Sequence, residues 1–435
     1  MTTPPYDAII VGSGPGGASV ARDLARRHWR VLVLEQGSAA PLSGTLTQMA
    51  SMAAIPGRGL FIHRDASLLV QGIGAGGSSA LNFATAAAPP PAMFAAHGID
   101  LSRQLAQLRA ELPIAPLPDS LVGPMARRLT AGARAAGMDW QALDKMIRPA
   151  RCRAGCWRCV YGCPFGAKWT ARDFLDQAIE NGAVLFDRTR ARRVLLEDGR
   201  AVGVVYTRAG TTQVAQARVV VLAGGAVGSS RLLHASGLRG ATSGFFSDPV
   251  ISVMGAVDDL AVAVNDGEDA GNEVPMAAGV RFDGDGISLA DLALPRPLFQ
   301  AFAAQAGRLD RLAAHARTLS VMVKIGDEIG GAIGPRWVSK PLHASDRLKF
   351  ARGVELARAV LREAGASHVF ASHHFAAHPG GSVRIGDGVD ADLQTAAPNL
   401  YVCDASVIPG PWGLPPTLTL LCLGTRLASH LARQT

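Results

Sequence analysis

The chain has 435 residues, 48% of them hydrophobic and 18% charged, a composition that places it among globular proteins and gives it enough length for two cores. Its formal net charge of +8 comes from arginines scattered in stretches such as "ARDLARRHWR" and "RTRARRV" with few aromatics among them, which argues against nucleic-acid binding and for a mild attraction to an acidic partner. No stretch reaches the roughly 18 to 20 uncharged apolar residues that span a bilayer, and the start "MTTPPYDAIIVGSGPGG" lacks the basic and apolar regions of a cleavable signal, so a soluble, cytoplasmic protein without a transmembrane segment is expected.

The first predicted element is a buried strand, Ala8 to Val11. Gly12, Gly14 and Gly17 follow in a GxGxxG pattern, then a helix running to His28 and a second strand, Val31 to Leu34, that ends in Glu35. Gly12 permits the tight turn, Gly14 lets backbone approach a pyrophosphate at the helix N-terminus, and Gly17 lets helix and strand pack closely. Glu35, eighteen residues beyond Gly17, is placed to accept hydrogen bonds from a ribose and disfavours a 2′-phosphate. Strand, glycines, helix, strand and acid in this order specify a dinucleotide site, with FAD and NAD both open.

Next come the glycine-rich "GIGAGGSSALN" (72–82) and the biased "ATAAAPPPAMFAA" (84–96), which is expected to be a loop acting as a lid or crossover. Cys152, Cys156, Cys159 and Cys163 then give C-x3-C-x2-C-x3-C followed by Pro164, one residue away from the bacterial ferredoxin run C-x2-C-x2-C-x3-C-P. Gly155, Gly162 and Pro164 permit the sharp turns of a loop wrapped round an iron–sulfur cluster, four-iron in preference to three-iron. Four-cysteine zinc sites prefer two C-x2-C pairs far apart, and disulfides need an oxidising compartment, so both are weaker alternatives. Cys403 and Cys422 are expected to be packed apolar residues.

After "VVVLAGGAVGSSRLLHASG" (219–237), the segments "DPVISVMGAV", "VPMAAGVRF", "GISLADLAL" and "LSVMVKIGDEIGGAI" are predicted strands separated by Gly- and Asp-rich turns. "SDRLKFARGVELARAVLREAG" is a predicted amphipathic helix, with Ser345 as N-cap and Gly365 as its stop. The chain closes with "HPGGSVRIG" (378–386) and "NLYVCDASVIPGPWGLPPTLTLLCLGTRLASHL" (399–431).

Together these motifs, in this order from residue 7 to 431, resemble the glucose-methanol-choline (GMC) oxidoreductase family, flavoproteins that mostly oxidise alcohols. The resemblance implies FAD and an α/β fold: a Rossmann-like FAD-binding domain formed by residues 1–238 and 372–435, with the Cys-rich insertion at 150–168, and a smaller α+β substrate domain with an antiparallel sheet at 239–371. It places Gly76, Gly77, Ser79 and Asn82 beside the pyrophosphate and flavin ring, Ala191 at the adenine, and Ala223 with Gly224 under the cofactor. Asp404 and Ala405 close over the ribityl chain, and Pro416 and Thr417 face the pyrimidine side of the flavin.

The resemblance also implies that His378 is the catalytic base, since an imidazole pKa of about 6.5 suits it to take a hydroxyl proton near neutrality. His373 and His374 are next in line. One departure is Pro415, where the family has His or Asn; a proline side chain neither donates nor accepts a hydrogen bond. Some sugar dehydrogenases of the family carry an iron–sulfur cluster in the corresponding insertion, and plant long-chain alcohol oxidases share a related cysteine spacing and a lysine like Lys168. The expected function is therefore an FAD-dependent dehydrogenase acting on a hydroxyl group of a sugar, polyol or hydrophobic alcohol. A cluster would relay electrons singly to an external acceptor, a ferredoxin, cytochrome or quinone. Alternatives are a ferredoxin-fed flavin reductase of an unsaturated or carbonyl substrate and a non-redox lyase.

Overall fold

The computed structural model describes residues 5–63, 67–238, 244–260 and 272–434. Tyr6–Val11 pairs in parallel with Val31–Leu34 (Ala8 opposite Val31) across the intervening helix Pro15–Ala25. Val31–Leu34 is buried along its whole length, as a strand covered on both faces must be. Among the described residues this unit anchors a sheet of seven strands, in which Val184–Phe186, Val31–Leu34, Tyr6–Val11, Thr211–Leu222 and Leu400–Val402 run parallel. Thr211–Leu222 then leads into an antiparallel meander through Arg200–Arg208 and Thr189–Glu197.

The second sheet has nine strands among the described residues, and its centre is Pro249–Ala256, Thr318–Ile325, Ile287–Asp291 and Ala278–Phe282, all antiparallel. The four segments predicted as strands are thus all found. The sheet also takes Leu60–Ile62, Leu68–Val70, Gln141–Ala142 and Phe375–Ala376, from outside 239–371, because a sheet edge exposes unpaired backbone groups that flanking segments can satisfy. The fold is the mixed α/β arrangement expected.

Helix Ala344–Glu363 covers one face of the second sheet, with Phe350, Ala357, Val360 and Leu361 buried against it. Its N-cap is His343 rather than Ser345: Asp346, three residues on, accepts the His343 N–H and completes a reciprocal capping box. Gly365, at φ 77°, does end the helix. The first helix stops at Ala25, three residues short of His28, which takes a left-handed φ of 62°. Pro91–Ala95, within the stretch expected to be a loop, is a short helix opened by Pro91 at its first turn.

The C-terminal helix Thr417–Leu431 is held on Pro15–Ala25 by close contact. A Cβ on Gly424 would stand 2.8 Å from the Gly16 carbonyl, and Ser19 Oγ reaches both the Leu421 carbonyl and Thr425 Oγ1 at 3.1 Å. Cys403 and Cys422 are buried in the same core, as expected for packed apolar residues. No described helix is long and apolar enough to cross a membrane.

Candidate active site

A cavity of about 770 Å³ opens where the parallel strands end. Gly12, Gly14, Glu35, Gly77, Ser79, Asn82, Ala191, Ala223, Gly224, His378, Asp404, Ala405, Pro416 and Thr417 line it, while Gly17 and Gly76 do not. Gly12, at φ 103°, packs so tightly on the Ala223 carbonyl that a Cβ would lie 2.3 Å from its oxygen, and a Cβ on Gly17 would lie 2.2 Å from the Gly12 carbonyl oxygen. Gly14 is the opposite case: a Cβ there would meet nothing within 4 Å, so its backbone faces open cavity. Gly14 is also the N-cap of Pro15–Ala25 and no side chain caps that helix, so its first N–H groups are available to an anion.

Glu35 is buried on the cavity wall, and its carboxylate accepts from Ser13 N (3.1 Å), Ser13 Oγ (2.7 Å) and Gly37 N (2.7 Å). Burial pushes its carboxyl up, opposed by those hydrogen bonds. Asp404 serves the wall itself: it accepts from Gly225 N, Ser229 Oγ and both Ser406 N and Oγ, joining the start of helix Gly225–Ala235 to the turn Ala405–Val407. Asn82 Nδ2 donates to Thr417 Oγ1 at 3.3 Å, bringing together two positions 335 residues apart. Thr417 opens the C-terminal helix, whose N-terminus is uncapped by any side chain and adjoins the cavity.

Several residues that the sequence did not single out belong to this site. Arg58, Arg190, Arg192 and Arg231 also line the cavity, and Arg190 and Arg231 are pushed below the usual guanidinium range by burial first and then by neighbouring guanidinium charge. The wall is therefore positive, as suits an anionic dinucleotide. Behind His378 stand Lys324 and Asp248. Lys324 Nζ lies 3.0 Å from His378 Nδ1 and 3.2 Å from Asp248 Oδ2. The one available signal for Lys324 was a lone lysine inside the apolar run "LSVMVKI". His373 is exposed and His374 stacks near Phe350, and neither lines the cavity.

The cysteine segment runs through two short turns, Pro149–Arg151 and Arg158–Tyr161. Its four cysteines are free thiols, Cys159 buried and the others half-buried. Cys152 feels the charge of the other three, Cys156 that of Cys159 and Cys163, and Cys159 that of Cys163. Among the described residues no three His, Cys, Asp or Glu side chains converge closely enough to hold a metal ion, so the expected ligand set is not drawn together. A single zinc draws its sulfurs to about 2.3 Å from one point, which these four thiols do not do here. Two fully buried lysines flank them. Lys145 Nζ donates to the carbonyls of Phe83, Pro275 and Met276, and Lys168 Nζ to those of Ala80, Asn82 and Cys159.

Residues 6–252 match the N-terminal and residues 313–424 the C-terminal model of GMC oxidoreductases. The chain belongs to the GMC oxidoreductase family. A GMC-type oxidoreductase of Mycobacterium tuberculosis is 30% identical over 98% of this chain and 75% of its own length. A long-chain-alcohol oxidase of Arabidopsis thaliana is 24% identical over 98% of this chain and 67% of its own. Among solved structures, a variant of Aspergillus oryzae formate oxidase made to follow FAD modification superposes with a TM-score of 0.77 at 17% identity, covering 100% of this chain and 99% of that one. As a GMC oxidoreductase the protein is a flavoprotein, and its cavity fits FAD: open backbone at Gly14, two uncapped helix N-termini and a positive wall.

Proposed function

We propose that this GMC oxidoreductase is an FAD-dependent dehydrogenase that oxidises a hydroxyl group of a sugar, polyol or hydrophobic alcohol, with electrons leaving singly through an iron–sulfur cluster to a ferredoxin, cytochrome or quinone. The observation that carries this reading is the setting of His378. Its side chain is 27% exposed on the cavity wall while Nδ1 is turned inward to Lys324 and Asp248, which leaves Nε2 for a substrate hydroxyl. Burial, then the charge of Lys324, push the imidazole pKa down, so the ring stands neutral near pH 7.

When bound, FAD supplies an acceptor for the carbinol hydride. The N–H groups after Gly14 would hold its diphosphate, Glu35 its ribose, and Asn82 with Thr417 its flavin ring. The alcohol class draws support from the plant long-chain-alcohol oxidase. Cys152, Cys156, Cys159 and Cys163 would hold the cluster, which takes electrons one at a time. Lys168 supports that placement, because one buried ammonium ties the Cys159 carbonyl to those of Ala80 and Asn82, and Asn82 lies on the cavity wall.

Anaerobic spectra of the purified protein, taken during additions of glucose, sorbitol, 1-dodecanol or reduced ferredoxin, test this. One of the alcohols is expected to bleach the flavin bands. His378→Ala should slow that bleaching by about 10²- to 10⁴-fold with bound FAD retained, and Cys159→Ser should keep single-turnover bleaching while stalling transfer to a one-electron acceptor. Bleaching by reduced ferredoxin and by no alcohol would replace the dehydrogenase with the reductase. Stoichiometric zinc without iron or labile sulfide would remove the relay.

A further inference from the structure

Four charged side chains lie buried behind the cavity wall. Asp248 and Lys324 are 0% and 4% exposed, Asp327 and Lys340 0% and 1%. Lys324 lies on the strand Thr318–Ile325, every residue of which is buried, and only a partner of opposite charge or a good acceptor makes such a position tolerable. It has both. Asp248 Oδ2 is 3.2 Å from its Nζ and His378 Nδ1 is 3.0 Å away, while His378 Nδ1 and Asp248 Oδ2 are 3.5 Å apart.

Asp248 is fixed from several sides. Its φ is 50°, in the left-handed region that a side-chain-bearing residue keeps only when its surroundings over-determine it. Its N–H donates to Asp327 Oδ1 at 2.8 Å, Asp327 is paired with Lys340 Nζ at 2.9 Å, and its own Oδ1 accepts from Gly413 N at 2.8 Å. Gly413 belongs to the "PWGLPP" loop that carries Pro415, so the carboxylate is tied to the place where a second hydrogen-bonding side chain is missing.

The ring nitrogen Nδ1 has one site, and what Lys324 puts against it decides what Nε2 can do. An ammonium at Lys324 donates to Nδ1 and leaves the ring proton on Nε2, where the imidazole cannot accept a substrate proton. A neutral amine accepts from Nδ1–H and frees the Nε2 lone pair. We propose that Lys324, paired with Asp248, is the final acceptor of the substrate hydroxyl proton, acting through His378, and so supplies from the second sheet what Pro415 cannot. This rests on the reading of His378 as base.

The step balances. The substrate O–H bond breaks as His378 Nε2–H forms, and Nδ1–H breaks as Lys324 Nζ–H forms. The carbinol C–H electron pair leaves with its hydrogen as hydride toward oxidised FAD, giving a carbonyl product. The imidazole ends neutral, and the new ammonium lies beside the Asp248 carboxylate. Burial pushes Lys324 below the ordinary amine range with Asp248 opposing, which is the direction a proton acceptor needs. The other charges facing Lys324 are Arg281, which disfavours the ammonium, and Asp327, which favours it and is itself compensated by Lys340.

Lys324→Arg separates a relay from a merely structural cation. Arginine keeps the charge and can keep the ion pair with Asp248, but its guanidinium does not accept a proton. In the FAD-loaded protein, with whichever of glucose, sorbitol or 1-dodecanol reduces the flavin, Lys324→Arg is expected to slow flavin reduction by about 10²- to 10⁴-fold, as much as Lys324→Met or more. Lys324→Met should respond to pH with the titration of His378 alone. ¹⁵N NMR of His378 in the wild-type holoprotein gives a readout that needs no variant: Nδ1–H with a free Nε2 is expected wherever flavin reduction is fast. A wild-type rate and pH profile in Lys324→Arg, or an Nε2–H ring at every active pH, overturns the relay. Normal flavin reduction in His378→Ala would instead overturn the base reading beneath it.

Discussion

Buried lysines occur in two settings in this molecule, and they are balanced differently. Lys324 and Lys340, in the second sheet and beside it, each face a buried carboxylate, Asp248 and Asp327. Among the described residues Lys145 and Lys168, beside the cysteines, donate only to backbone carbonyls, although Asp291 lies within electrostatic range of Lys145. Burial pushes both of the latter down to about 8, opposed by charge on the nearby thiols. Near His378 the charge is closed within the protein, so a proton can move inside it without creating a lone charge. Beside the cysteines the lysines have an excess of positive charge, which thiolates would balance.

The same substitution at one lysine of each kind should break this comparison most sharply. Lys340→Met strands the Asp327 carboxylate, which also organises Ser247 and Asp248, and removing one partner of a buried pair costs about 3 to 5 kcal/mol. Lys168→Met strands no carboxylate. It costs the carbonyls of Ala80, Asn82 and Cys159 a donor but removes a buried charge, so a net loss below about 2 kcal/mol is expected. Denaturant midpoints of the two variants measure the difference, and equal losses would mean that the two settings are not electrostatically distinct.

Glu273 sharpens the comparison from the acidic side. Among the described residues it is a buried carboxylate with no lysine partner, accepting only the N–H groups of Met125 and Ala126 at the start of helix Pro124–Ala135, and burial pushes it up to about 7. Its folded pKa lies above its unfolded value, so the folded state binds more protons between about pH 4.5 and 7. Its contribution is therefore fully present below pH 4.5 and is lost as pH rises through 7. Denaturation of wild type and Glu273→Gln at pH 5 and pH 8 should show the smallest effect of the set: a fall in stability toward pH 8 that is reduced in the variant.

The dinucleotide unit was legible because its demands are local. A tight turn at Gly12, an open backbone at Gly14 and a close helix–strand contact at Gly17 are each set by a residue and its near neighbours. The same holds for the four central strands of the second sheet. The capping of helix Ala344–Glu363 was misplaced by two residues because Ser345 and His343 can both precede a helix, and only the reciprocal bond to Asp346 distinguishes them. The short helix Pro91–Ala95 was hidden by a proline run that reads as loop until Pro91 is seen in a first turn.

Sequence by itself determined the family, the flavin, the parallel unit that starts the fold and the residue types along the cavity wall, because motif order and short-range spacing carry that information. Tertiary structure alone decided which distant residues meet. Asn82 reaches Thr417, Lys168 spans the cysteine loop and the cavity wall, and Lys324 with Asp248 lies against His378. A charged side chain within an apolar strand looks like a misfit in one dimension. Its partners come from other strands and loops, and the low dielectric that makes the pairing strong exists only once the core around it has closed.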